Sequence, residues 1–103
     1  MTEKVYMLVN INIEDKETYL NYEKGFFPIL KKHGGEFITF DDKIEHLEGE
    51  NPIMGRTILW TFPSEESAQA WYNDPEYQEL AKIRRSSSIL NNLSIIKSLP
   101  KRN

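Results

Sequence analysis

The chain contains no cysteine, which excludes disulfides, thiolate nucleophiles and cysteine-ligated zinc. It has no run approaching the ~20 apolar residues that cross a bilayer. Its start, Met1-Thr2-Glu3-Lys4, leads into a strand-like stretch without the apolar core of a signal peptide, so a cytoplasmic location is expected. Basic residues are fewer than acidic ones, 13 against 16, for a net charge of −3. That balance argues against phosphate-backbone binding as the main role. There is no phosphate-cradling glycine loop, nucleophile elbow, HExxH motif or dinucleotide fingerprint. No metal, cofactor, nucleic acid or membrane partner is therefore expected.

What remains is a 103-residue chain with 39% hydrophobic, 12% aromatic and 28% charged residues. This suits one globular domain spanning residues 1–103. A domain of this size buries only about two thirds of the surface its unfolded chain exposes, so association through an apolar face would add stability.

The order of elements is legible from periodicity and punctuation. Val5 to Ile13 alternates Met7, Val9, Ile11 and Ile13 on one face with Tyr6, Leu8, Asn10 and Asn12 on the other. A strand occupied on both faces is central in its sheet. Glu14-Asp15 opens a helix to about His33, whose stripe holds Tyr19, Tyr22, Phe26, Ile29, Leu30 and His33, with Leu20 and Phe27 on its flank. Gly25 and Pro28 interrupt it, so a kink or break is expected there, and Gly34-Gly35 stops it. Glu36 to Phe40 reads as a second strand, Asp41-Asp42-Lys43 as a turn, and Ile44 to Leu47 as an extension of that strand or a partner for it. Arg56 to Phe62 is the third strand, with Ile58, Trp60 and Phe62 on one face. Ser64 and Asp74-Pro75 supply two successive helix starts. The serines at 86–88 weaken the second helical segment before a last strand from Leu93 to Leu99.

This β-α-β-β-α-β order implies an α+β ferredoxin-like fold, a four-stranded antiparallel sheet with the helices on one face. The other face is left for a second copy of the chain to cover. Tyr19 and Tyr22, Gly34-Gly35, Leu47-Glu48-Gly49, Phe62-Pro63-Ser64, Ala70-Trp71-Tyr72, Pro75-Glu76-Tyr77-Gln78 and Arg84 carry a further resemblance. Spread over nearly the whole chain, they resemble the domain-of-unknown-function family numbered 1330 of the dimeric α/β-barrel superfamily. The resemblance implies a homodimer whose two sheets face each other as a barrel. It carries no catalytic residues over, although relatives elsewhere in the superfamily include cofactor-independent monooxygenases, haem-degrading enzymes and lactone isomerases. The ending Lys97-Ser98-Leu99 departs from the acidic residue and glycine often found there in the family.

Two residues stand out as catalytic candidates. His33 ends the apolar stripe of the first helix, where it suits a general base, a haem ligand or a contact with the helix C-terminus. Arg84 shares a helix face with Tyr77, Leu80 and Ala81, so it must pair, snorkel or face a cleft. In a cleft it would hold a carboxylate or enolate oxygen. Tyr22, Trp71 and Tyr72, with Arg84, are the expected ligand-binding residues; the same aromatics also suit a plain core. His46 lies among Glu45 and Glu48 in a spacing too common to name a metal site. Two classes stay open: a binding domain with a small-molecule cleft between helices and sheet, and a cofactor-independent enzyme acting on a small organic acid or enolisable aromatic compound.

Overall fold

The computed structural model describes residues 3–99. Its elements run β1 (Val5–Ile13), α1 (Lys16–Lys32), β2 (Glu36–Asp41), β3 (Arg56–Phe62), α2 (Glu65–Asn73), α3 (Pro75–Ser87) and β4 (Ser88–Lys97). The sheet order is β2-β3-β1-β4 with every pair antiparallel. β1 is central, as its two-sided pattern requires. The residues on its first face, Val5, Met7, Val9 and Ile11, are buried beneath the helices, beside Trp60 and Phe62 of β3. The opposite face is uncovered. Across it Tyr6 pairs with Ile96 and Leu8 with Leu59, interleaved with Asn10, Thr57 and Asn92.

The helix starts form as their sequences dictate. Asp15 accepts a hydrogen bond from Thr18 N (3.1 Å), Ser64 from Ser67 N (3.0 Å) and Asp74 from Glu76 N (2.9 Å). Each satisfies a donor that the helix itself leaves free. His33 caps the end of α1, and Gly34 takes φ 77°, a left-handed turn that ends the helix at little steric cost.

Three expectations are corrected. α1 is one α-helix through Gly25 and Pro28, with no break. Lys24 and Pro28 both lie on its exposed side, so water can take the carbonyl that proline leaves free, while Phe26, Ile29 and Leu30 anchor the same turn in the core. Gly25 serves packing instead: a Cβ there would lie 2.6 Å from Leu80 Cδ1 of α3. Ile44 to Leu47 forms no strand; it belongs to an irregular segment, 42–55, that exposes Leu47, Ile53 and Met54. β4 begins at Ser88 rather than Leu93, because its first residues pair with Ile11, Asn12 and Ile13 across a bulge at Asn10/Ile11. The pairing of an edge strand depends on its neighbour, which local composition does not reveal.

Candidate functional site

The aromatic stripe of α1 divides between two environments. Toward the α2–α3 junction the rings close on one another. Trp71 lies 4.1 Å from Tyr77, 5.5 Å from Trp60 and 6.2 Å from Phe26, centroid to centroid, and is fully buried. Ala68 and Ala81 are buried in the same cluster, small enough to let these rings meet. Toward the N-terminal half of α1 the packing opens into a narrow cleft of about 50 Å³ between helix and sheet. Tyr19, Tyr22 and Phe26 of α1 form one wall, and Val9, Ile58 and Trp60 of the sheet form the other. Phe37 and Phe40 of β2 and Leu90 of β4 close its sides.

Two arginines border this cleft. Arg84 of α3 is 4% exposed, and its Nε has no hydrogen-bond partner. No ion pair joins it to a carboxylate among the described residues. Burial opposes its charge, but the adjacent Tyr77 and Tyr22 hydroxyls outweigh that and hold its pKa above the ordinary arginine value. Those two hydroxyls are 2.8 Å apart and buried. Burial, followed by the neighbouring Tyr77, pushes the Tyr22 hydroxyl well above the usual phenol range, so it stays protonated. Tyr19 is likewise pushed up to about 12, chiefly by burial. Trp60, on the sheet wall, also leaves its indole Nε1 unpartnered. The Arg84 Nε, buried and without a partner, is a donor that can receive an oxyanion beside the protonated Tyr22 phenol.

Arg56, at the start of β3, sits at the mouth. Its Nε and Nη2 donate to Asp42 Oδ1 and Oδ2 (2.6 and 3.0 Å), and its Nη1 donates to Glu23 Oε1 (2.9 Å). The guanidinium lies over the Phe40 ring, 4.2 Å from its centroid. The Arg56 hydrogen bonds hold the Asp42 carboxyl below its ordinary pKa.

Of the residues singled out by sequence, Tyr22 and Arg84 meet at the cleft. Trp71 instead lies in the packed cluster, and Tyr72 is exposed beyond it; neither borders the cleft. His33 is also elsewhere. Its Nε2 lies 2.8 Å from Asp74 Oδ2, which also receives Lys32 Nζ at 3.0 Å. That contact ties the end of α1 to the start of α3, so proton transfer by His33 at Arg84's site has no geometric support. His46 contacts the Gly49 carbonyl, and no metal-binding cluster of histidine and carboxylate groups occurs among the described residues. Arg56, Glu23 and Phe40 were missed. The available signal was parity: Arg56 falls on the same strand face as Ile58, Trp60 and Phe62, where a charge needs a reason.

A family model described as "Domain of unknown function (DUF1330)" matches residues 4–99. No curated protein gives a significant sequence match. Among solved structures, a protein of unknown function from Rhodopseudomonas palustris is similar with a TM-score of 0.73 at 16% identity, covering 100% of this chain and 86% of that one. SnoaB, a cofactor-independent oxygenase from Streptomyces nogalater, gives 0.68 at 8% identity, covering 96% of both chains. A nipsnap family protein with unknown function from Agrobacterium tumefaciens gives 0.60 at 18%, covering 94% and 89%. At these identities the likeness concerns the fold. No helix among the described residues is long and apolar enough to cross a membrane.

Proposed function

The chain belongs to this family of unknown function, and from that premise we propose that it is a homodimeric, cytoplasmic α/β-barrel domain that binds a small aromatic or enolisable organic acid. The cleft between α1 and the sheet is the site. The observation that carries the reading is Arg84, a buried guanidinium with an unpartnered Nε on an aromatic-walled cleft. Its role is to hold the ligand's oxyanion, with Tyr22 as a neutral hydrogen-bond donor beside it. Tyr6, Leu8, Leu59 and Ile96 on the uncovered sheet face, with Ile89 exposed opposite Asn12, support the dimer, because a second copy would cover this apolar surface.

A second reading, a cofactor-independent enzyme on the same ligand class, is favoured by the buried Tyr22–Tyr77 hydroxyl pair. A protonated phenol next to a cation stabilises an enolate as it forms.

The test is thermal denaturation with 2-naphthoate. The wild type is expected to melt higher with the ligand present, because specific binding raises apparent stability. Arg84→Met should show no response. Equal stabilisation of both proteins would remove Arg84 from the site. For the dimer, sedimentation of Leu8→Glu should show monomer or unfolded chain where the wild type sediments as a dimer. A wild-type monomer at micromolar concentration would reject that half of the reading.

A further inference from the structure

We propose that Arg56 gates the cleft, and that its release from Asp42 joins the cleft to a neighbouring groove so that it admits aromatic carboxylates larger than one ring. This rests on reading the cleft as an anion site.

The first argument is size. A benzene ring fills a cavity of about 150 Å³, whereas the closed cleft offers about 50 Å³. A ligand therefore enters only if part of the wall moves. The second is location. An open groove of about 690 Å³, bordered by Lys16, Leu20 and Gly55, lies next to the cleft. Tyr19, Glu23 and Arg56 border both spaces, so they form the partition between them.

The third argument is how the partition is held. Tyr19 is anchored in the core, but Arg56 is fixed by Asp42, whose side chain is 53% exposed, and by Glu23, at 35%. Both carboxylates reach solvent, so each can exchange the guanidinium for water, whereas Arg56 itself is only 16% exposed and stays at the partition. Asp42 begins the irregular segment 42–55. Irregular segments of such length are uncommon in compact domains, and active-site lids are one of their recurrent uses. Its far end is tied by Asn10 Nδ2, which donates to the Met54 carbonyl at 2.8 Å. Arg56 itself bonds to Asp42 at the near end. A planar guanidinium makes a suitable latch, because it stacks on Phe40 while holding a carboxylate through two donors, which a lysine cannot do.

The experiment measures binding of benzoate, 2-naphthoate and biphenyl-4-carboxylate to the intact protein by stopped-flow tryptophan fluorescence and calorimetry. Asp42→Asn weakens the latch without touching the cleft wall, and Glu23→Gln provides a second variant should the first fail to fold. Each is expected to speed 2-naphthoate association about fivefold, and to raise the affinity for biphenyl-4-carboxylate relative to benzoate by a similar factor. Arg84→Met should abolish binding in every background. If 2-naphthoate binds in an Arg84-dependent way but association rate and size preference are unchanged in both latch variants, the gate is wrong and the anion site stands. If no probe binds the wild type or any variant, the anion site itself fails and the gate falls with it.

Discussion

The two halves of the space beneath α1 are built from the same residue types and end in opposite states. At one end Trp71, Tyr77 and Trp60 fill the interior, with Ala68 and Ala81 making room for them. At the other, Tyr19 and Tyr22 stand beside a hollow. There the α3 stripe that runs Tyr77, Ala81 continues to Arg84 instead of an apolar plug. An aromatic residue is thus core or cleft wall according to what lies opposite. A buried arginine keeps its end of the stripe open, because a guanidinium cannot be packed dry without leaving donors unsatisfied.

The largest test of this contrast is truncation at each end. Trp71→Ala should cost about 3–5 kcal/mol, read by urea denaturation, whereas Phe27→Ala at the half-exposed edge of the cleft should cost no more than about 1 kcal/mol. Equal costs would mean that the cleft end is packed as firmly as the other. Next is Arg84→Met, which replaces a buried guanidinium, with an unpartnered Nε and no carboxylate partner among the described residues, by an apolar chain of similar length. Stability of the ligand-free protein should hold or rise by about 1–3 kcal/mol. A comparable loss would show that Arg84 is a structural tie.

Smaller again is Asp42→Asn, which should lower stability by less than about 1 kcal/mol, because the Asp42 side chain is half-exposed and an asparagine there still accepts from Arg56. The last test concerns pH. Hydrogen bonds from His33, then Lys32, then Glu76 N hold the Asp74 carboxyl well below the usual carboxylate range. A carboxylate whose folded pKa is depressed stabilises the protein above its unfolded value, about 3.9. That contribution is lost as pH falls through the folded one. The wild-type melting temperature should therefore drop more steeply below about pH 4 than that of Asp74→Asn, which keeps a capping side chain but loses the charge. Parallel profiles would mean that the His33–Asp74 contact at the packed end carries no electrostatic weight.

Much of this protein follows from sequence alone. Strand alternation in β1, the cap residues Asp15, Ser64 and Asp74, and the stop at Gly34 determine the element order, because each acts through neighbours only a few residues away. The apolar face of α1 and the place of Arg84 on the Tyr77–Ala81 face of α3 follow as well, from helical spacing; that Arg84 is buried there does not. The rest required the tertiary structure. Whether Pro28 breaks α1 depended on which side of the helix faces water, and where β4 begins depended on its register with β1. The split between core and cleft among Trp71, Tyr72, Tyr22 and Tyr77, and the meeting of Glu23, Asp42 and Arg56 from three distant segments, depend on how α1 and α3 lie across the sheet. These are contacts between residues far apart in the chain, and local propensity carries no record of them.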